Sequence, residues 1–210
     1  MKTMTILAAV LFSFSVQAAI PRLEQKDFSS LIKTANDTSK SMTERWQSLV
    51  KAGEIAKPDQ INKIQEFSKS SDWFMRNASL ISLESINANY GIEQAKMLIQ
   101  DKALVVRSAA VTTLKKKNSL EVRRLLALEL AKSYNFSGQQ SLWIRPQIMQ
   151  HLASTATASD RQFMARYLFD KDKKVVLQSM LALEKITSVQ FSGPQRTKEW
   201  QNFVKENNWL

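Results

Sequence analysis

The sequence predicts an all-α fold, a right-handed α-α superhelix of about five helix pairs, and two observations support this prediction. One helical pattern returns along the chain at Arg45, Arg76, Arg107, Arg145 and Val176, in steps of 31, 31, 38 and 31 residues. The 210 residues also include only four glycines and four prolines, the two residues that disfavour helices most. A repeat period of this length is typical of a stacked array in which each helix pair buries its apolar face against its neighbours.

The repeat is defined by its columns, counted from the arginine or valine that we call the register residue. Around Arg107, Val106 stands one position before it, and Ala110, Val111 and Leu114 stand three, four and seven positions after it. These four offsets lie on one side of an α-helix, so we expect these columns to be buried in every repeat. The other helix of each pair is predicted upstream; in three repeats, apolar residues stand 12 and 9 positions before the register residue, at Ile64/Phe67, Ala95/Leu98 and Met164/Tyr167.

These segments resemble the HEAT-repeat family, in particular its short bacterial HEAT-like repeats. The resemblance rests on DWFMRNASLISL, DKALVVRSAAVTTL and DKDKKVVLQSMLAL and covers roughly residues 42–188. It implies a ladder in which aspartates and arginines near the turns pair between neighbouring repeats. The residues that it assigns to this ladder are Asp72, Arg76, Asp101, Arg107 and Arg145. The pattern is incomplete at both ends, where Ser39 replaces the aspartate and Val176 the arginine.

Residues 1–18 are predicted to be a secretory signal peptide. Lys2 precedes an apolar run from Met4 to Val16, and Val-Gln-Ala at 16–18 places small residues where signal peptidases cleave. We therefore expect cleavage after Ala18. The apolar run is shorter than the roughly 20 residues of a membrane span, although an uncleaved anchor is the alternative.

The remaining chain divides into three parts. Residues 19–41 are expected to form a lead with one capping helix, built on Phe28, Leu31, Ile32 and Ala35; residues 42–188 form the repeat array, and residues 189–210 form a capping helix. The four glycines are expected between helices, where glycine commonly ends a helix. The irregular step of 38 places seven extra residues around 133–141, either a loop on a binding face or a tolerated insertion.

The residue inventory argues against an enzyme. With one histidine, His151, and no cysteine, the sequence offers no ordinary zinc or copper site, and it contains no glycine-rich phosphate loop and no nucleophile elbow. We expect His151 to be a partly exposed helix residue. Asp170-Lys171-Asp172 lacks the glycine and the closing glutamate of a calcium loop and is assigned to a repeat turn. No cofactor and no metal are therefore expected.

Charge is the positive functional signal. Lys and Arg number 30 against 19 Asp and Glu, and removal of residues 1–18 takes away only Lys2, leaving a formal charge of about +10. Such a chain favours acidic or polyanionic partners. Basic residues are densest around one turn, which we expect to expose them on one rim of the array, although solvated helix ends often look the same. The predicted binding residues are Lys115, Lys116, Lys117, Arg123 and Arg124, together with Tyr134, Phe136 and Trp143.

Tryptophans lie close to the register residues, at Trp46, Trp73 and Trp143. Beside a basic surface, such rings can stack on nucleic-acid bases or hold a peptide. In a repeat array they more often pack one repeat against the next.

Three functions of different class follow. The first is a non-enzymatic exported scaffold, most simply in a bacterial periplasm, that binds an acidic protein or peptide or an anionic envelope component. The second is a basic nucleic-acid-binding HEAT protein with an uncleaved leader, similar to the HEAT-like DNA glycosylases that remove alkylated bases; their catalytic motif is not matched here, and export argues against nucleic acid. The third is a structural subunit of an envelope complex.

Overall fold

The computed structural model describes residues 27–210, which form eleven α-helices and one short β-hairpin. The helices are α1 (Phe28–Asn36), α2 (Met42–Ile55), α3 (Ile61–Glu66), α4 (Trp73–Ile86), α5 (Ala88–Leu98), α6 (Leu104–Leu114), α7 (Leu120–Glu129), α8 (Ile144–Ser154), α9 (Arg161–Tyr167), α10 (Lys173–Thr187) and α11 (Arg196–Glu206). The hairpin pairs β1 (Phe136–Ser137) with β2 (Gln140–Ser141) in antiparallel register. The predicted all-α class is confirmed, while the expected signal peptide and cleavage site lie outside the described residues.

The five register residues all lie on even-numbered helices, and these helices contact one another in chain order. Arg45 lies in α2, Arg76 in α4, Arg107 in α6, Arg145 in α8 and Val176 in α10. Contacts join α2 to α4, α4 to α6, α6 to α8, and α8 to α10. The intervening helices pack against this row, as α5 does against both α4 and α6. We call the five even-numbered helices the register row.

The columns predicted to be buried are buried throughout the register row, apart from Glu44, which is exposed. Two of the residues three positions after the register residue, Ser79 and Ser179, also make side-chain hydrogen bonds. The Ser79 hydroxyl donates to the carbonyl of Ile64 over 2.9 Å, and the Ser179 hydroxyl donates to that of Met164. A serine here therefore allows close helix packing and also satisfies a carbonyl near the end of the preceding helix.

Two of the four glycines lie inside helices, although all four were expected between helices. Gly53 is in α2 and Gly91 is in α5. A Cβ at position 53 would stand 2.7 Å from the Cβ of Ser82 in α4, and a Cβ at position 91 would stand 2.7 Å from the Cβ of Glu84. These glycines are thus explained by close helix contact, whereas Gly138 and Gly193 have positive φ angles in turns.

Additional helices cover both ends of the register row. At the start, α1 packs against α2 and buries Phe28, Leu31 and Ala35. At the other end, α11 contacts α10 and buries Trp200 completely, with Phe191 and Phe203 edge-on to its ring. Among residues 27–210, no helix combines the length and the hydrophobicity that crossing a membrane requires.

Candidate functional site

The register arginines form a buried row of guanidinium groups, each bridging two turns. Arg76 donates to the carbonyls of Ser70 and Ser71 in the turn before its own helix. Through Nε and Nη2 it donates to both carboxylate oxygens of Asp101 in the next turn, over 2.6 and 2.7 Å. Arg145 similarly pairs with both oxygens of Asp170, over 3.2 and 2.5 Å.

The ladder also includes the first repeat, since Arg45 donates to Asp72 over 2.9 Å. Arg45, Arg76 and Arg145 thus each contact the aspartate of the following turn, and Asp72 pairs with Arg45 rather than with Arg76. Burial alone would raise the pKa of Asp101, but the hydrogen bonds from Arg76 and from the Ala103 N–H outweigh it and lower the pKa below its ordinary range. Asp101 is therefore held in its charged form, and its ion pair with Arg76 joins the second and third repeats.

Arg107 departs from the expected pairing, because its side-chain partner is an amide instead of a carboxylate. Its Nε donates to Asn135 Oδ1 over 3.0 Å, and its Nη2 donates to the Tyr134 carbonyl over 2.7 Å. The Asn135 amide in turn donates to the carbonyl of Glu129, whose buried carboxylate accepts the Tyr134 hydroxyl over 2.6 Å. Burial and this bond to Glu129 raise the pKa of the Tyr134 hydroxyl. Tyr134 and Asn135 therefore hold the Arg107 guanidinium in place.

The basic cluster predicted at residues 115–124 is only partly free to bind a partner. Lys116 forms an ion pair with Glu84 over 2.6 Å, and Arg123 forms one with Asp160 over 2.8 Å, each linking elements about one repeat apart. Arg123 also donates to the Thr155 carbonyl. Lys117 and Arg124 are exposed and Lys115 is half-buried. The prediction that all five are exposed together is wrong, because Lys115 and Arg123 are half-buried.

The extra residues between Arg107 and Arg145 form the hairpin, which packs against the arginine ladder. The Arg145 guanidinium lies 4.3 Å from the centre of the Phe136 ring, a cation–π contact, and also donates to the Ser141 hydroxyl. Phe136, predicted as a binding residue, is thus half-buried against Arg145. Trp143 lies directly after the hairpin and keeps 57% of its surface exposed.

An open groove of about 780 Å³ lies between the hairpin and the start of α10. Its residues are Ser137, Gln139, Gln140, Ser141, Trp143, Pro146, Lys171, Asp172, Lys173 and Lys174. We call it the hairpin groove. It presents three lysines and one exposed indole, and the Lys171 ammonium donates to the Gln139 side chain over 2.7 Å.

The two carboxylates beside these lysines are engaged elsewhere. Asp170 pairs with Arg145, and Asp172 caps α10 by accepting the Lys174 N–H over 2.8 Å. Within residues 27–210, Lys171, Lys173 and Lys174 form no ion pair. The groove is therefore a site of uncompensated positive charge around an aromatic ring, suited to an anionic group.

The three groove lysines were missed in the sequence analysis, which assigned DKD at 170–172 to a repeat turn. That assignment agrees with the roles of the two aspartates, but the following lysines share the groove with the hairpin. A usable signal was present: the segment DKDKK lies one repeat after the insertion, and residues at equivalent turns of adjacent repeats are neighbours.

His151 is buried, with 6% of its surface exposed, which corrects the expectation of a partly exposed residue. It stands six positions after the register residue, in a column that also holds the buried Ser82, Thr113 and Ala182. Its Nε2 lacks a hydrogen-bond partner among the described residues. Burial, followed by the charges of Lys115 and Arg123, lowers the pKa of His151 below 6.5.

This environment predicts that the protein becomes less stable in mild acid. Because the folded pKa is below 6.5, the unfolded chain takes up a proton first as the pH falls through 6.5, and stability declines until the pH reaches the folded pKa. His151 is the sole histidine, so we expect urea unfolding between pH 7.5 and 5.5 to show this decline in wild type and a flatter profile in His151→Gln. Equal pH profiles for the two proteins would show that His151 does not titrate differently on unfolding.

Among the described residues, no group of three or more His, Cys, Asp or Glu side chains is arranged to hold a metal ion. The polar groups of the hairpin groove are ammonium, amide and hydroxyl groups together with the capping Asp172. This set can bind and orient an anion through charge and hydrogen bonds.

No protein-family model and no curated protein matches this chain.

Proposed function

We propose that this protein is a non-enzymatic HEAT-like binding module, exported to the periplasm, and that the hairpin groove binds an acidic segment of a partner protein or peptide. The ordered contacts along the register row and the repeated arginine bridges support the solenoid part of this proposal. The export part depends on the predicted cleavage after Ala18.

The observation that supports the binding function is the groove itself. Three lysines without carboxylate partners surround a tryptophan that is 57% exposed. An exposed indole beside ammonium groups offers apolar contact area and charge-assisted hydrogen bonds together. The cluster at residues 115–124 offers less, because Lys116 and Arg123 already have carboxylate partners.

The proposal predicts that loss of the groove charges weakens binding more than loss of equal charge elsewhere. We compare Lys171→Gln/Lys173→Gln/Lys174→Gln with Lys115→Gln/Lys117→Gln/Arg124→Gln, which lowers the net charge equally. Binding of a fluorescein-labelled decaglutamate peptide, measured by fluorescence anisotropy, should weaken at least tenfold in the groove variant, about 1.4 kcal/mol. The comparison variant should change it much less, through long-range attraction that physiological salt suppresses.

Equal losses in the two variants would mean that net charge alone attracts the peptide and that the groove is not the site. Circular dichroism checks that both variants keep their helices. Tighter binding of single-stranded oligothymidylate than of the acidic peptide would favour the nucleic-acid function, because an exposed tryptophan beside lysines can also stack on a base.

A further inference from the structure

The register row exposes a nearly uncharged face. On each of its helices, the residues two positions before the register residue and one and five positions after it lie within about 60° of one another around the helix axis. All fifteen residues at these positions, counted from Arg45, Arg76, Arg107, Arg145 and Val176, are exposed or half-buried. We call them the neutral face, since Lys174 is the sole charged residue among the fifteen.

This lack of charge is unusual for the chain. With 23% charged residues overall, fifteen solvent-facing positions would hold about three charges on average, and solvent-facing positions normally exceed the average. Other helices follow that rule, with Lys63 exposed on α3, Arg124 on α7 and Arg161 on α9. Exposed apolar residues that share one surface with polar residues around them commonly mark an interaction site.

The side chains of the neutral face are a mixture of apolar groups and hydrogen-bonding groups. Trp143, Val105 and Leu177 keep 57%, 44% and 40% of their surface exposed. The same face also carries hydroxyl and amide groups such as Asn77, whose Oδ1 accepts from the indole of Trp46 over 3.2 Å. Apolar contacts combined with amide groups suit a polypeptide, which offers side chains and backbone donors and acceptors alternately.

The neutral face leads directly into the hairpin groove. Trp143, Pro146 and Lys174 belong to both surfaces, so the uncharged surface of α4, α6 and α8 ends at the lysines beside α10. Charge complementarity therefore selects a ligand with an uncharged apolar body and an acidic end.

We propose that the neutral face binds an extended polypeptide segment of about nine residues, apolar at every third position, whose acidic end lies in the hairpin groove. The length follows from helix spacing: three steps of about 8–10 Å separate α4 from α10, and a chain in the extended polyproline II conformation covers about 3.1 Å per residue and presents every third side chain on the same side. One helix step thus corresponds to about three residues. The placement of the acidic end rests on the proposed function of the hairpin groove. The requirement for apolar residues in the rest of the segment does not.

The test compares two labelled nonapeptides that share three acidic residues at one end. In the first, the other six positions are Gly and Ser; in the second, leucine replaces the residues at two of these positions, three apart. Each peptide is made in two versions, with the acidic residues at the N-terminus or at the C-terminus. The measurement then decides in which direction the peptide binds. We expect the leucine peptide to bind at least tenfold more tightly than the Gly/Ser peptide in fluorescence anisotropy.

A variant of the face separates apolar contact from charge. Val105→Lys/Gln150→Lys adds positive charge to exposed positions of the neutral face, so it should strengthen any purely electrostatic binding. If the leucine side chains contact the neutral face, the variant should bind the leucine peptide no more tightly than the Gly/Ser peptide. Its affinity for the Gly/Ser peptide should not fall. Leu128→Lys, at a position on α7 that is 65% exposed, is the control for added charge elsewhere and should still bind the leucine peptide more tightly.

The outcomes distinguish the two proposals. Equal affinities of the two peptides for wild type would overturn the neutral face as a binding surface and leave the groove function intact. Binding of neither peptide would overturn the groove function and, with it, the placement of the acidic end. A wild-type dimer in sedimentation that Val105→Lys/Gln150→Lys dissociates would show that a second copy occupies the face, and would also overturn the peptide assignment.

Discussion

Replacing Arg76 by alanine is expected to lower the free energy of unfolding by about 3–5 kcal/mol, as removal of one partner from a buried ion pair commonly does. The side chains of Arg76 and Asp101 are 6% and 5% exposed, so the substitution leaves an uncompensated carboxylate away from water. It also removes the donor from the carbonyls of Ser70 and Ser71. Urea unfolding followed by circular dichroism at pH 7 measures the loss.

Two comparisons show whether the loss arises from the buried charge. Arg76→Ala/Asp101→Asn keeps an acceptor for the Ala103 N–H but has no carboxylate, so it should recover part of the stability that Arg76→Ala loses. Lys116→Ala breaks an ion pair in which the lysine is 62% exposed and should cost less than about 1 kcal/mol. If Lys116→Ala costs as much as Arg76→Ala, burial is not the source of the effect.

The sequence predicts the register row well because its signal is repeated. A buried column that recurs five times is visible even where a single residue departs from it, as Glu44 does. The equivalence of Arg45, Arg76 and Arg145 has the same origin, since each guanidinium donates to a backbone carbonyl that precedes its own helix and to the aspartate of the following turn. The sequence did not reveal that these three arginines pair with the aspartate of the following turn, because that depends on which turns are adjacent in space.

The misassigned residues lie where a helix contacts more than one neighbour or where the repeat is interrupted. The column of His151 faces the preceding helix of the register row, since Ser82 donates to Leu49 and Thr113 to Glu84, and a helix packed on two sides buries more than one stripe. Arg123 lies in a cluster that resembles solvated lysines, yet Asp160 comes within 2.8 Å of it from a distant turn. Asn135 replaces the ladder aspartate inside the insertion, where no repeat pattern indicates its role.

The hairpin groove was not predicted because it lies beside the insertion that interrupts the repeat and is formed by two segments that are distant in the sequence. Its tryptophan follows the insertion, and its lysines come from a turn about 30 residues later. Neither segment has a motif of its own. Their combination depends on the contact between α8 and α10, which brings the two turns together.

Replacing Leu114 by alanine is expected to destabilise the protein by roughly 2–5 kcal/mol, because Leu114 is completely buried and the change removes apolar contacts and leaves a cavity. Leu83 occupies the same column one repeat earlier, 2% exposed, so Leu83→Ala should cost a similar amount.

Leu128→Ala is the matched control, since Leu128 is 65% exposed and its truncation should change stability by less than about 0.5 kcal/mol. Urea unfolding followed by both circular dichroism and tryptophan fluorescence measures the three variants. Because each repeat contacts mainly its neighbours, the two probes are expected to diverge when the centre of the register row is weakened by Leu114→Ala. Losses below half a kilocalorie per mole at both Leu83 and Leu114 would contradict the register, because a column that carries the stacking of the repeats cannot be truncated without cost.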